Sequence, residues 1–519
     1  MPRALTLVVA LCLCVAVLSL GDEVMEFDPA QYADVAARIL VRGDWLHLQD
    51  MNGPFINKPP LMIWAQAMAM AVLGPTSVAA RLPAILFAAL TVLGTFFVGR
   101  RLQDVRLGAV AAAFVSGSVA LHHAVADPKV DLALMAMTTW AIWAALERRW
   151  LLAWLFAALA VLAKGPVGPG IVMLALLPEF LRTKPPSRPW RERVRRALLG
   201  ALLFAALVIP FYAAQGASGA RYLLWTQAFA RILGGGDFQD STTPLYFLHT
   251  GLWALWPMTP LLIAALGRGA HRLWRERTLP ARLERIPAWW FLLTFAVISL
   301  SRYKLPQYVY WVAPPAALLA AGEILRLSEG GLLAWRRAYA ALAVGAATLG
   351  LLLLALVFPP GGWGWLILLA LALPAIAWAV TRAGEAWLRT AAVAASSALG
   401  FLFLYQAWLH PRLLDYQPWR EVAAEVRALP ASEPLVLVDV APTFALSFYS
   451  QRPLRPASPG EVSRERPRLF VASEAALQHL DGAKSVLRLP RYPVSIPRGK
   501  FLRETTREGE LGWIHVAGW

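Results

Sequence analysis

Long apolar runs dominate the chain, and they recur between short polar turns from one end to residue 408 or so. Runs near 4–20, 79–99, 107–125, 130–146, 150–163, 166–181, 197–215, 246–266, 286–300, 306–325, 338–357, 364–381 and 386–408 approach the ~20 residues needed to cross a ~30 Å hydrocarbon core. They predict about 13 transmembrane helices, with the short run at 150–163 free to pair as a hairpin with its neighbour. The N-terminal run reads as a retained anchor, because no small-residue cleavage site precedes Asp22 and Glu23. The pattern changes in the tail. Residues 418–429 carry a helical pattern, and Leu435–Val438, Leu469–Ala472, Val486–Leu489 and Trp513–Val516 read as short strands between Pro, Gly and Ser clusters. The expected fold is an α-helical polytopic membrane protein with a small C-terminal α/β extracytoplasmic domain, divided as 1–409 and 410–519.

Two polar stretches flank this apolar body, the loop at 21–78 and the tail. Within the loop, Tyr32, Val35, Ala36, Ile39 and Leu40 recur at helical spacing, while Gln31, Asp34 and Arg38 face elsewhere. That stripe predicts an amphipathic helix lying on the membrane surface. A second such helix follows Lys58-Pro59-Pro60, with Leu61, Trp64 and Met68 on one side.

Composition agrees with a membrane body. Of 519 residues, 58% are hydrophobic and 16% charged, against ~25% charged in soluble domains. Cys12 and Cys14, the only cysteines, lie inside the first run and support neither a disulfide framework nor a metal knuckle. The net charge of +17 does not point to nucleic acid, because Lys and Arg crowd alternate loops: 100–106, 148–149, 182–196, 268–285, 326–337 and 382–389. By the positive-inside rule these loops are cytoplasmic, which puts the N-terminus inside and both the 21–78 loop and the tail outside. The outer turns carry few basic residues: Lys129, Lys164, Arg221, Arg231, Arg302 and Lys304. Basic groups that break the trend suggest an anion on that side, and a lipid phosphate is the natural candidate.

Candidate chemistry gathers on the same side. Asp28 precedes Pro29, a pattern that reads as a helix N-cap and equally fixes a carboxylate in direction. Lys58 before two prolines reads by itself as a snorkelling lysine. Asp127, Lys129 and Asp131 stand between the third and fourth runs, Lys164 precedes Gly165-Pro166, and Arg302, Tyr303, Lys304 and Tyr308 cluster at a later outer junction. Arg81 lies just inside the second run. Ionisable groups at membrane depth are costly and face a cavity or a partner.

In order along the chain, Asp28-x-x-x-Tyr32-Ala33, Gly43-Asp44-Trp45, Asn52-Gly53, Lys58-Pro59-Pro60-Leu61, Ala80-Arg81-Leu82-Pro83 and Gly99-Arg100-Arg101-Leu102 resemble the opening of bacterial lipid A aminoarabinose transferases, within the protein-mannosyltransferase-like part of the GT-C glycosyltransferases. Leu162–Pro166 and Ser299–Tyr308 resemble two further blocks, and Pro244–Phe247 with Trp256-Pro257 a weaker third. The resemblance implies an inner-membrane enzyme of GT-C type that moves a sugar from a polyprenyl-phosphate carrier to a lipid or glycan acceptor on the outer face, with no nucleic acid involved. It implies Asp28 as the catalytic carboxylate and Lys58 at the carrier phosphate, with Arg81, Lys304 and Tyr308 completing that site. Tyr32, Asp127, Asp131, Lys164 and Arg302 are the expected substrate or acceptor pocket, Asp127 and Asp131 being rival matches to one family position. The chain departs from the family at Pro29 and Asn57, each where a Glu is usual, and at Ser241 or Thr242, where a His is usual. With those usual ligands missing, no cofactor is assigned, and a divalent metal stays an open alternative at this point. Rival readings are a transporter or flippase for lipid-linked sugars, and a protein O-mannosyltransferase or oligosaccharide ligase.

Overall fold

The computed structural model describes residues 2–182, 190–234, 243–276, 282–430, 433–495 and 497–519. Lys184, Arg188, Ser241, Thr242 and Arg277, named above or lying in the basic stretches, fall outside the described residues.

The apolar runs fold as a packed bundle of helices. Small residues let the helices approach closely: a Cβ on Gly99 would sit 2.7 Å from Gly108 Cα, so Ser77–Leu102 and Val105–Ser116 cross backbone to backbone. Turn residues cap the joints, Thr76 accepting from the Ala79 N–H at 3.2 Å and Asp104 from the Leu107 N–H at 3.0 Å. Helix Arg3–Val17 is built into the bundle, with Leu5, Val8, Cys12 and Val15 buried.

The thirteen expected runs do not all fold as long single helices. Five described helices are long and apolar enough to cross a membrane alone: Arg3–Gly21, Ser77–Leu102, Trp190–Ala214, Glu329–Val357 and Ala386–Leu414. A sixth arises if Val105–Ser116 and Val119–Ala126, bent by 48°, count as one. Other expected spans, such as Val130–Leu146 and Trp150–Lys164, are apolar helices of 10–17 residues. A hydropathy window reads apolar content straight through bends, whereas a helix ends where its backbone turns. The chain is a multi-pass membrane protein.

The first loop folds as expected at one helix and differently at the other. Asp28–Arg42 is helical, with Tyr32, Val35, Ala36 and Ile39 buried. Leu40, expected in that stripe, is exposed, and Asp34, expected to face away, is buried. The reason is tertiary: the opposite face of this helix is covered by the tail. Helix Leu61–Leu73 buries Met62, Ile63, Gln66, Ala67 and Met70 instead of the expected side, leaving Met68 exposed. Being apolar all round, its sequence fixes no single buried face. Between the two helices runs a hairpin, β1 (Gln49–Asp50) and β2 (Gly53–Pro54), closed by Gly53 at φ 119°.

The tail carries a five-stranded mixed sheet of β3 (Leu435–Val438), β4 (Leu454–Ala457), β5 (Phe470–Ser473), β6 (Lys484–Arg491) and β7 (Gly512–Gly518), in the order β4-β3-β5-β7-β6. β3 pairs in parallel with β4 and β5, and β7 antiparallel with β5 and β6. β3, buried along its whole length, is a continuous apolar run, as a central parallel strand requires. β4 has no counterpart among the strands that the pattern predicts, because Arg455 and Pro456 break its apolar run; an edge strand tolerates both.

Candidate active site

Eight residues line a cavity of about 270 Å³: Asp28, Gln31, Tyr32, Asn57, Lys58, Tyr222, Gln227 and Arg231. Three of them sit at i, i+3 and i+4 on the first turn of helix Asp28–Arg42, a spacing that puts them on one face. Asp28 is the first residue of that helix and makes no cap bond; the N-cap position belongs to Phe27. The carboxylate is therefore not consumed by the helix end, contrary to the cap reading. Gln31 Nε2 donates to Asp50 Oδ2 at 2.7 Å, which ties the turn to the hairpin, and the buried Tyr32 ring meets Phe55 edge-on at 6.3 Å.

Lys58 comes from the extended segment ahead of Pro59-Pro60 and donates to Gln227 Oε1 at 3.3 Å, while Gln227 Nε2 donates to the Tyr222 hydroxyl at 2.9 Å. Burial first, then the neighbouring Arg231 charge, push the Lys58 ammonium down to about 7, with Asp28 pulling the other way. Such an amine gains its proton readily when an anion arrives.

Tyr222 and Gln227 belong to a nine-residue π-helix, Tyr222–Ala230, whose widened turn brings residues five apart together. Arg231 follows it. Its Nη1 donates to the Tyr308 hydroxyl at 3.0 Å, and its guanidinium lies 5.0 Å from the Tyr303 ring centre. The turn that carries Arg231 is held by the block at 299–308: Ser301 Oγ and the Tyr303 N–H reach the Arg231 carbonyl at 3.0 and 3.1 Å, and the Arg302 N–H reaches Ile232 O at 3.2 Å.

Behind Arg231 stands a closed polar layer. Lys164 Nζ meets Asp131 Oδ1 at 2.5 Å, and Trp311 Nε1 donates to the same oxygen at 2.7 Å. The Lys164 ammonium lies 4.6 Å from the Tyr308 ring centre and 4.7 Å from that of Trp311. Lys129 pairs with Asp127 at 2.7 Å; burial opposes its charge, but Asp127 and then Asp28 hold its proton more tightly than usual.

The expected residues thus separate into groups. Asp28, Tyr32 and Lys58 line the cavity together. Tyr308, Asp131 and Lys164 form the layer behind it, and the buried Asp127 pairs with the half-buried Lys129. Arg81 is not brought to the cavity: fully buried, it donates to the carbonyls of Asp22, Glu23 and Ala126 and pins the start of the loop to the bundle. Lys304 is buried outside the cavity lining, and Arg302 is exposed, its stem lying against Gly234. Sequence reasoning did not single out Gln31, Tyr222, Gln227 or Arg231 as site residues. Arg231 left one signal, as a basic residue on the basic-poor side; the π-helix left none. For a divalent metal the donor set does not fit: the lining offers one carboxylate and no His or Cys, and among the described residues no three metal-binding side chains come together.

Residues 57–213 match the family model described as dolichyl-phosphate-mannose-protein mannosyltransferase. The chain is 31% identical over 346 residues to an undecaprenyl phosphate-alpha-4-amino-4-deoxy-L-arabinose arabinosyl transferase of Pseudomonas paraeruginosa, a match covering 63% of this chain and 60% of the relative. A protein of the same description from Pseudomonas aeruginosa is 30% identical over 350 residues, with the same coverage. The matched region thus spans about six tenths of the length of these curated relatives. Among solved structures, ArnT from Cupriavidus metallidurans bound to undecaprenyl phosphate superposes with a TM-score of 0.73 at 19% identity, over 99% of this chain and 97% of that one. Its apo form gives 0.72 at 20% identity. The likeness to aminoarabinose transferases read from the ordered motifs is borne out, and the chain shares their fold.

Proposed function

We propose that this chain is an integral membrane glycosyltransferase that moves a sugar from a polyprenyl-phosphate carrier to a lipid A-like acceptor on the outer face of the bacterial inner membrane, the N-terminus lying in the cytoplasm. One observation carries the reading: a carboxylate free of any cap bond and two cations, Lys58 and Arg231, line a single cavity. The sequence relatives are described as undecaprenyl phosphate-alpha-4-amino-4-deoxy-L-arabinose arabinosyl transferases, and the distribution of basic loops supports a cavity on the outer side.

The chemistry follows from the charges. A polyprenyl-phosphate sugar already contains a leaving group, so the protein has to deprotonate an acceptor hydroxyl and stabilise the departing phosphate. Asp28 takes the acceptor proton as its oxygen attacks the anomeric carbon, the bond to the phosphate oxygen breaks on the opposite face, and the configuration inverts. Lys58 and Arg231 offset the charge that builds on the phosphate. Arg231 takes the place that the resemblance gave to Arg81, and Tyr308 contributes by fixing Arg231. No step runs through a metal.

The test is membranes holding the wild type or Asp28→Asn, given labelled undecaprenyl phosphate-linked 4-amino-4-deoxy-L-arabinose and lipid A. Label should pass to lipid with release of carrier phosphate only in the wild type. Transfer at the wild-type rate by Asp28→Asn refutes the assignment of the base.

A further inference from the structure

Asp28 opens a helix whose first turn is tied to the hairpin through Gln31 and Asp50. Its carboxylate makes no bond to the helix end, and the next residue, Pro29, has no N–H to give. Its place in the cavity is therefore set by whatever fixes the segment before it and the outer face of its helix; Arg81 and the hairpin hold part of this, and the tail bonds to both. Glu26, two residues upstream, accepts the backbone N–H groups of Phe444 and Ala445 at 3.0 and 2.8 Å with its two carboxylate oxygens. The Glu26 N–H donates to Gln417 Oε1 at 2.7 Å, and the Val24 N–H donates to the Tyr449 hydroxyl at 2.7 Å. Downstream, Ser447 Oγ donates to the buried Asp34 at 2.6 Å, and Asp34 also accepts from Arg38 at 3.0 Å and the Met51 N–H at 2.9 Å. Helix Phe444–Ser450 of the tail thus grips the Asp28 turn from both sides, six residues downstream as well as two upstream.

Resting on the reading of Asp28 as base, we infer that Glu26 and Ser447 are positioning residues for sugar transfer, through which the tail helix Phe444–Ser450 holds Asp28 at its working place in the cavity. The tail is then part of the catalytic apparatus and more than a cover over it. A general base works only within hydrogen-bond reach of the proton it takes, and a displacement of about 1 Å costs on the order of 10²-fold in rate. A clamp lost on one side of the turn is a displacement of that scale, and the cations of the cavity, which sit on other elements, are untouched by it.

The experiment uses the full-length protein in detergent, with Glu26→Ala, Ser447→Ala and the conservative Glu26→Gln and Ser447→Thr. Turnover with the aminoarabinose donor, affinity for undecaprenyl phosphate, and amide hydrogen exchange over residues 22–34 are measured on monodisperse fractions. Glu26→Ala and Ser447→Ala should lower kcat by roughly 10- to 100-fold, leave undecaprenyl phosphate affinity within about twofold of wild type, and speed exchange in that segment; Ser447→Thr should restore most of the rate, and Glu26→Gln only part of it, because an amide keeps one of the two acceptor oxygens that Phe444 and Ala445 use. Unchanged kcat with unchanged exchange overturns the inference, and so does a parallel loss of kcat and phosphate affinity, the mark of a merely structural role. Asp28→Asn run alongside separates the two claims: wild-type turnover there defeats the base assignment, whereas an inactive Asp28→Asn beside a fully active Glu26→Ala defeats only the clamp. Should the wild type not turn over this donor, the proposed activity fails and the inference falls with it, whatever the exchange shows.

Discussion

Two groups of charged side chains lie at opposite ends of the same two helices, and they have opposite characters. At the start of Arg282–Leu300 and the end of Ala313–Ile324, Glu284 and Glu323 are enclosed by arginines: Arg268 Nη1 reaches Glu284 at 2.8 Å, Arg268 Nε reaches Glu323 at 2.9 Å, Arg272 reaches Glu284 at 3.4 Å, and Arg326 also pairs with Glu284. At the other ends, Ser301 and Tyr303 hold the turn of Arg231 beside a cavity where Asp28 and Lys58 face open volume. Both groups concentrate charge within the fold. Only the second leaves a carboxylate unspent and space for a ligand between it and the cations. Buried charge alone marks cost; charge held around a void marks chemistry.

That contrast can be broken, and the largest effect belongs to the open end. Asp28→Asn should cut transfer by about 10²–10⁴-fold while undecaprenyl phosphate binding survives, as read by transfer and binding assays on one preparation. Next is Lys58→Ala, which removes one charge-assisted contact; donor affinity should weaken by roughly 10- to 100-fold, seen as a raised donor KM, and unchanged affinity takes Lys58 out of the phosphate site. A smaller effect comes from pH. Because the free Lys58 is pushed down to about 7, and because an anionic donor binds its charged form, affinity should be full below that value and fall as pH rises through it. The loss should be about tenfold near pH 8, and Lys58→Arg should flatten the profile. The smallest effect on catalysis is at the closed end. Glu284→Gln should leave turnover per folded molecule unchanged while lowering stability by about 1–3 kcal/mol, visible as an earlier thermal transition; a loss of turnover without loss of stability would join the two ends functionally.

A comparison of arginines sharpens the point about what a sequence reveals. Arg81 and Arg231 are each basic residues where few basic residues occur. Arg81 stands in a recognisable motif and serves three backbone carbonyls. Arg231 stands in no quoted motif, follows an apolar stretch, and reaches the cavity through a π-helical turn. Nothing local distinguishes a guanidinium spent on carbonyls from one facing a void, since that depends on which elements pack against it. The block at 299–308 shows the same limit in reverse: its motif puts Lys304 and Tyr308 at the phosphate and Arg302 in the substrate pocket, and much of its bonding goes into holding the Arg231 turn.

The helix Asp28–Arg42, its buried stripe through Tyr32, Val35, Ala36 and Ile39, and the strand positions of β3 and β5 to β7 were legible in the sequence, because period and turn chemistry are properties of consecutive residues. The multi-pass character followed from composition in the same way, and the pairing of Asp28 with Lys58 was legible through the ordered motifs. Only the tertiary structure decided where apolar runs bend, that Asp34 is buried against Ser447, that Arg231 joins the cavity, and that the tail reaches Glu26 across more than four hundred residues of chain. These are contacts between elements distant in sequence, whose energy resides in neither partner alone, so no reading along one strand of the chain contains them.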